Sequence, residues 1–189
     1  NKIYEIDGNG RRTDFYYDNL NRLIKEELPA DDYVLPGDSS PTPDYRPTIS
    51  YQYDDNGNKV AEISANGNTG RGNPAEYKTT FVYDGLNRQI KVIDAAGNTA
   101  RIYYNAAGQK IKTIDPLGNE AQLVYDQRGN EIAKIDGEGN VLYVEYDILG
   151  KKTAEYDPRG VIPADDNPDG VTGDIVTILG KEYILDQRY

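Results

Sequence analysis

The residues with the clearest chemical potential lie near the end of the chain, where acidic side chains are closely spaced. Asp165, Asn167 and Asp169 fit the opening of a calcium-binding loop of the Asp-x-Asn-x-Asp-Gly type, and Asp174 follows closely as a fourth candidate ligand. The match is incomplete, because Val176 occupies the position of the bidentate Glu and Pro168 stiffens the loop. The sequence therefore predicts a calcium site here, and an ordinary acidic turn is the alternative.

The sequence lacks most of the side chains and motifs that enzymes commonly use for catalysis. The 189 residues include no His, Cys, Met or Trp, which excludes an imidazole base, a thiol nucleophile, a disulfide and a zinc finger. No serine lies in a Gly-x-Ser-x-Gly motif, and Gly150-Lys151-Lys152-Thr153 lacks the rest of a phosphate-binding loop. We therefore expect no enzymatic activity, and no cofactor other than calcium at the acidic loop.

Charge and hydropathy narrow the range of partners. Lys and Arg number 21 against 32 Asp and Glu, a net charge of −11, and no basic patch stands out, so nucleic acid is not an expected partner. The longest apolar stretches are only a few residues, so membrane insertion is not expected.

Tyr is by far the most frequent aromatic residue, with 17 copies. This favours half-buried sheet surfaces, where the ring packs and the hydroxyl stays in water.

Tyr-Asp pairs recur along the chain with a fixed period. Four pairs have tyrosines that are 21 residues apart: Tyr83-Asp84, Tyr104-Asn105, Tyr125-Asp126 and Tyr146-Asp147. Two earlier pairs, Tyr17-Asp18 and Tyr53-Asp54, are separated by 36 residues, and the second lies 30 residues before Tyr83. These longer spacings are one period plus an insert. A fixed period of this length is typical of repeat proteins.

Each period contains two turns with the pattern Asp-x-x-Gly or Asp-x-x-Asn. One begins at the Asp of the pair, as in Asp84 to Asn87, and the other falls ten residues later, as in Asp94 to Gly97. Asp at the first position of a type I turn accepts hydrogen bonds from the backbone, and Gly or Asn at the fourth tolerates a left-handed conformation. Segments of about six residues between turns have the usual length of strands. The sequence predicts an all-β fold of tandem antiparallel β-hairpins, one for each 21 residues.

The strand that leads into each pair alternates apolar residues, as in Phe81 and Tyr83, and we expect this face to point inward. The return strand carries isoleucines three residues apart, such as Ile90 and Ile93, which predicts a bulge or twist. Three tyrosines of the opposite parity are candidates for an outer binding surface: Tyr16, Tyr103 and Tyr143. A strip of about twelve such strands is expected to curl.

The sequence divides into two parts. Residues 1–160 are predicted to be the hairpin array, with loop inserts near 29–47 and 68–76 that are rich in Pro, Asp, Ser, Gly and Asn. Residues 161–189 are predicted to be an acidic loop and a partial further repeat, to which Tyr189 would contribute the tyrosine. Because the chain begins at Asn1 and not at Met, we expect a section of a longer protein or a processed product.

The repeated unit Tyr-Asp-x-x-Gly-(Arg/Asn/Lys)-x-(Ile/Val)-x-x-Ile-Asp-x-x-Gly-Asn resembles that of the Rhs/YD-repeat family. This family includes the Rhs polymorphic toxins, the cocoon component of insecticidal toxin complexes and the teneurin extracellular region. The resemblance is plainest at residues 83–88 and 125–130 and extends over residues 3–160. It implies a β-hairpin spiral that walls a hollow chamber, usually around a toxic C-terminal domain. The aspartates of the family's release protease have no match here, so the resemblance implies no catalytic residue.

We therefore expect a structural section of an Rhs/YD-repeat shell that encapsulates a toxin or effector segment of a longer secreted or cell-surface protein. Its partners would be the remaining repeats and the C-terminal cargo of the same chain. The alternative is an extracellular adhesion or carbohydrate-binding module, in which the inserts and the outward tyrosines contact glycans or a cell-surface receptor. Aromatic residues clustered beside an insert would favour this alternative.

Overall fold

A computed structural model describes residues 1–30, 33–71, 73–165 and 173–186. Within these residues the chain forms sixteen β-strands and two short 3-10 helices, Ala65–Asn68 and Pro74–Tyr77. It divides into two compact units, residues 1–100 and 101–189. The described residues include no helix that is long and apolar enough to cross a membrane. The predicted all-β class is confirmed.

The first unit contains strands β1 to β7, which pair antiparallel in sequence order. Their bounds are β1 Tyr4–Ile6, β2 Arg12–Tyr17, β3 Leu23–Glu27, β4 Thr48–Tyr53, β5 Lys59–Ile63, β6 Lys78–Tyr83 and β7 Gln89–Ile93. The first insert connects β3 to β4, and the second, which contains both 3-10 helices, connects β5 to β6. Both inserts therefore replace turns at the sheet edge remote from the Tyr-Asp pairs.

The second unit repeats this arrangement and adds a small separate sheet. Strand β8 includes the first residues of this unit, and the strands from β8 to β13 pair antiparallel in sequence order. Their bounds are β8 Thr99–Tyr104, β9 Lys110–Ile114, β10 Glu120–Tyr125, β11 Glu131–Asp136, β12 Val141–Tyr146 and β13 Lys152–Tyr156. Three further strands form the small sheet in the order β14-β16-β15: β14 Val161–Pro163, β15 Asp174–Ile178 and β16 Lys181–Leu185.

The turns have the geometry that the Asp-x-x-Gly pattern predicts. In the turn that begins at Asp94, the N–H of Gly97 donates to the carbonyl of Asp94, and the N–H of Asp94 donates to the carbonyl of Asn98, both at 3.0 Å. Gly97 has a φ of +87°, and Asn21 and Asn87 hold the same turn position at +61° and +60°. This is a type I turn followed by one left-handed residue, which closes a hairpin through a three-residue loop.

The return strand of each Tyr-Asp hairpin carries a bulge beside the turn. Where β6 pairs with β7, Val82 lies opposite Lys91 and Tyr83 opposite Gln89, so Ile90 is an extra residue. The same register shift occurs in the hairpins β2–β3, β4–β5, β8–β9, β10–β11 and β12–β13. The bulge predicted from the isoleucine spacing is confirmed.

Strand register defines two faces, because cross-strand partners and alternate residues share a face. The tyrosine face carries the tyrosine of each Tyr-Asp pair and the residue two before it, such as Tyr83 and Phe81, and these side chains are half-buried. Ile93 pairs with Thr80 and therefore lies on the opposite face. The bulge therefore shifts the second isoleucine of the return strand to the side of the sheet away from the tyrosines.

The most deeply buried cluster lies in the second unit, between the opposite face and the three-stranded sheet. Its members are Ala133, Val141, Val161, Ile178, Tyr183 and Leu185. Tyr143 packs against this cluster, and its ring centroid is 6.2 Å from that of Tyr156. The prediction of Tyr143 as an outer binding residue is therefore wrong, because the small sheet covers this part of the face. Tyr16 and Tyr103 are 40% and 43% exposed.

Replacing Gly97 by Ala is expected to lower the free energy of unfolding by about 1 kcal/mol, because alanine is strained at a φ of +87°. No atom lies within 4 Å of a Cβ at Gly97, so the loss would come from backbone conformation alone. Gly85 has equally open surroundings without a positive φ, and Gly85→Ala should leave stability unchanged or slightly raised. Urea denaturation followed by circular dichroism measures both; equal losses would contradict this account.

Candidate functional site

The tyrosine of a Tyr-Asp pair joins its own hairpin to the preceding strand. Its hydroxyl donates a hydrogen bond to a main-chain carbonyl, an interaction that we call a tyrosine clasp. Four clasps are described: Tyr17 to Lys2 at 2.8 Å, Tyr53 to Leu23 at 2.7 Å, Tyr83 to Lys59 at 3.0 Å and Tyr146 to Glu131 at 3.1 Å. The recurring tyrosine therefore contributes a directed hydrogen bond as well as packing area.

The clasps lie where the backbone ladder between hairpins has stopped. Strands β5 and β6 pair at three positions, from Ile63 opposite Lys78 to Ala61 opposite Thr80. Pairing between β6 and β7, within one hairpin, continues to Tyr83. Neighbouring hairpins thus diverge toward their Tyr-Asp turns, and the tyrosine hydroxyl bridges the gap.

The turn aspartates organise the loops that present these tyrosines. One carboxylate oxygen of Asp94 accepts from the N–H groups of Ala96 and Asn98 at 2.9 and 2.8 Å, and the other accepts from the Asn98 side-chain amide at 2.8 Å. The same three bonds form in the turns of Asp115 with Asn119, Asp126 with Asn130 and Asp136 with Asn140. At Asp84 the Arg88 guanidinium replaces the amide at 2.8 Å. Each carboxylate is therefore committed to its own loop.

These donors stabilise the charged form of the carboxylates. The hydrogen bond from the Asn98 side chain is the largest cause that lowers the pKa of Asp94 below its ordinary value of 3.8. The Arg88 side chain has the same effect on the pKa of Asp84. A general acid at neutral pH needs a raised pKa, so these aspartates are suited to structure and not to acid catalysis.

Side chains that follow the turns link one Tyr-Asp turn to the next. Three such bonds are described: the Arg22 guanidinium to the Asp54 carbonyl at 3.1 Å, the Asn58 amide to the Asn87 side chain at 2.8 Å, and the Gln109 amide to the Gly129 carbonyl at 3.4 Å. All three donors occupy the fifth position of their loops. The turns of successive hairpins are thereby held in register on the sheet edge.

The tyrosine face of the first unit carries charges that are already paired. The Lys59 ammonium lies 5.2 Å from the Tyr51 ring centroid and 4.9 Å from that of Phe81, and it contacts Glu62 at 2.7 Å. The Tyr51 hydroxyl donates to Glu26 at 2.8 Å. Burial, followed by this hydrogen bond, raises the pKa of Tyr51 far above its ordinary value of 10. In this unit the tyrosine face therefore combines aromatic rings with charged side chains that are paired or hydrogen-bonded.

The two inserts of the first unit contact each other through aromatic and polar side chains. The rings of Tyr33 and Tyr45 stack with centroids 5.4 Å apart, and the Tyr33 hydroxyl donates to the Asn66 side chain. Arg71 in the second insert pairs with Asp38 in the first at 2.8 Å. Aromatic residues therefore do cluster beside an insert, a feature that sequence alone did not locate because Tyr33 and Asn66 are far apart in the chain.

The predicted calcium loop falls only partly within the described residues. Asp165 lies just after β14 and Asp174 begins β15, whereas Asn167 and Asp169 are outside the described residues. Over the part of the chain that the structure describes, no group of three acidic side chains is arranged to hold a metal ion. The calcium site stays a prediction.

Comparison with known proteins identifies a related fold among solved structures. No protein-family model and no curated protein matches the chain. Three similar structures each align with 79% of this chain and 9% of the neighbour's chain: the Tc holotoxin pore of Photorhabdus luminescens with a TccC3 mutation, TcdB2-TccC3 with Cdc42, and TcdB2-TccC3. Their TM-scores are 0.57, 0.56 and 0.56, and their sequence identities are 21%, 20% and 21%.

This similarity shows the fold. The Tc toxin chains carry the Rhs/YD-repeat shell, so the resemblance that the sequence motifs indicated is confirmed at the level of structure. The described residues fold as tandem hairpins of the same kind, and the chain spans about a tenth of the length of these neighbours.

Replacing Tyr83 by Phe is expected to lower the free energy of unfolding by about 1 kcal/mol, because the ring stays in place while the hydrogen bond to the Lys59 carbonyl is lost. Tyr103→Phe is the matched control, since Tyr103 is 43% exposed on the opposite face and should tolerate the change. Urea unfolding of both variants measures the difference. A Tyr83→Phe variant as stable as Tyr103→Phe would show that the clasp contributes nothing.

Proposed function

We propose that this chain is a wall section of an Rhs/YD-type shell, which encloses a toxin or effector segment of the same longer, secreted protein. The observation that carries the proposal is the way in which hairpins are joined. Neighbouring hairpins are described with three backbone pairs between them and, at four junctions, with a tyrosine clasp, as β5 and β6 show. A wall built this way grows by addition of identical units, which is the logic of a repeat protein. The fold shared with the Tc toxin chains supports this role.

The chain exposes apolar side chains that other repeats or the cargo would cover in the proposed shell. The tyrosine-face residues are half-buried in the described residues. Strand β1 leaves Ile3, Tyr4 and Ile6 at 65%, 46% and 59% exposure. Exposed apolar groups on an edge strand are typical of a surface that pairs with another strand. In the proposal the remaining repeats cover β1, and the tyrosine face lies against the cargo or other turns of the wall.

The role is structural, and the proposal assigns no catalytic residue. The turn carboxylates are hydrogen-bonded within their loops, and His and Cys are absent from the sequence. The work of the wall would be to shield a polypeptide from proteases and from premature folding or release. Its net charge of −11 would keep the assembled exterior in solution.

The proposal is tested by limited proteolysis of the full-length parent protein. We expect the enclosed segment to resist digestion in the wild type and to become sensitive when the clasps of Tyr53 and Tyr83 are both replaced by Ala. The double variant Tyr16→Ala and Tyr103→Ala, on the opposite face, is the matched control and should retain protection. A segment that is digested at the same rate with an intact wall would refute encapsulation.

A second candidate function is an adhesion or carbohydrate-binding module, and the cluster formed by the two inserts favours it. Stacked tyrosines flanked by an amide, a carboxylate and a guanidinium combine ring faces with hydrogen-bonding groups suited to a sugar. On this hypothesis the ligand would contact Tyr33, Tyr45, Asp38 and Arg71.

A glycan-panel assay on the chain, with and without calcium, distinguishes the two candidates. The adhesion hypothesis expects saturable binding that Tyr45→Ala removes and that Tyr4→Ala, at an exposed tyrosine of β1, leaves intact. A requirement for calcium would additionally support the site at Asp165 and Asp174. Absence of binding across the panel would exclude the adhesion candidate and leave the shell proposal unaffected.

A further inference from the structure

The third position of the aspartate loops varies along the chain, and asparagine occupies it in two of them. Asn9 and Asn56 stand there, each followed by the left-handed glycine of its loop, Gly10 and Gly57. The other loops carry residues without a side-chain amide at this position: Leu20, Leu86, Ala96, Ala107, Leu117, Arg128, Glu138, Leu149 and Arg159. Neither candidate function uses these two asparagines.

An asparagine followed by glycine can lose its side-chain amide without an enzyme. The main-chain nitrogen of the glycine attacks the asparagine Cγ and closes a five-membered succinimide, while the side-chain nitrogen leaves as ammonia with the proton of the glycine N–H. Water then opens the ring to aspartate or to isoaspartate, whose main chain is one methylene longer. Glycine favours the first step because it has no Cβ to hinder the approach of its nitrogen. The reaction therefore needs an accessible asparagine and a glycine N–H that can be released.

The loops of Asn9 and Asn56 meet both requirements. Both asparagines and the glycines that follow them are exposed, and no atom lies within 4 Å of a Cβ built on either glycine. Among the residues that the structure describes, none is hydrogen-bonded to the side chain of either asparagine. The N–H of Gly57 donates to the Asp54 carbonyl at 3.1 Å, a bond on an exposed loop that local opening can break.

A third Asn-Gly pair has the same sequence in a closed setting. Asn66 and Gly67 lie in the first 3-10 helix, where Gly67 is buried and its N–H donates to the Ser64 carbonyl at 3.0 Å. A Cβ on Gly67 would lie 2.6 Å from the Ile63 side chain, so the backbone has little room to turn. The Asn66 side chain also accepts a hydrogen bond from the Tyr33 hydroxyl. Both reacting groups are therefore held in place.

We propose that Asn9 and Asn56 are sites of spontaneous deamidation in the folded chain, and that the fold protects Asn66. The sequence alone does not separate the three pairs, because each asparagine precedes a glycine. The separation comes from exposure, packing and the hydrogen bond to Asn66. This inference goes beyond the shell role, since it requires neither an enclosed segment nor a sugar.

Deamidation at Asn56 would affect a loop that is tied to its neighbours on both sides. The Asp54 carbonyl of this loop accepts from the Arg22 guanidinium at 3.1 Å, and the Asn58 amide donates to the Asn87 side chain at 2.8 Å. Isoaspartate would lengthen the main chain inside the loop and add a negative charge beside Asp54. Conversion is therefore expected to weaken the loop and its links to the adjacent turns.

Peptide mapping of the whole chain after incubation at mildly alkaline pH tests the proposal. Arg11 and Lys59 place the three asparagines on separate tryptic peptides, and deamidation adds one mass unit to each. In the folded chain, Asn9 and Asn56 should convert about tenfold faster than Asn66, because local opening is rarer in the packed helix. In concentrated urea the three rates should be similar. Equal rates in the folded chain, or no conversion at Asn56, would overturn the proposal.

Two variants test the consequence for the loop. Alanine occupies the third position in the regular loop of Ala96, so Asn9→Ala and the double variant Asn9→Ala, Asn56→Ala should both fold. After the same incubation, Asn9→Ala should lose about 2 to 4 °C of its thermal midpoint, whereas the double variant should keep its initial value. An equal loss in both variants would show that deamidation at Asn56 does not weaken the loop.

Discussion

The three-residue loop closed by an aspartate is the constraint on which the rest of the structure depends. Its fourth residue must adopt a left-handed conformation, as Gly97 and Asn87 do, and its carboxylate must receive the donors of the fifth residue, as Asp94 does from Asn98. In the Tyr-Asp hairpins, a bulge beside this loop inserts one residue into each return strand. The bulge changes which residues of the return strand point to each face of the sheet. Neighbouring hairpins pair at the end remote from the Tyr-Asp turns and diverge toward those turns. The tyrosine hydroxyl then becomes necessary as a bridge.

The bulge also explains why the chain has two partly apolar faces and a thin core. The reset of alternation places Phe81 and Tyr83 on one face and Ile93 on the other. A single sheet layer cannot bury both faces, so most of these side chains are half-buried. The cluster of deeply buried residues lies in the second unit, where the three-stranded sheet covers Val141 and Ala133. The repeat therefore leaves apolar side chains on both faces that a single sheet cannot bury completely.

The sequence predicted what depends on local chemistry. The Asp-x-x-Gly spacing specified the turns and the strand lengths, and the spacing of Ile90 and Ile93 indicated the bulge, because each of these depends on a few neighbouring residues. The position of Tyr143 could not be predicted in this way, since its burial depends on β14 to β16, which lie some 20 to 40 residues further along the chain. The contact of Tyr33 with Asn66 likewise depends on tertiary geometry that periodicity does not encode.

The uneven pairing of strands also has a mechanical consequence. Within the hairpin of β4 and β5 the backbone pairs from Ile63 to Lys59, whereas β5 holds β6 at three positions and through one phenol hydroxyl. A force applied across such a sheet would therefore separate neighbouring hairpins before it opened any single one. We expect the sheet to separate at the junctions between hairpins, which recur every 21 residues in the regular part of the repeat.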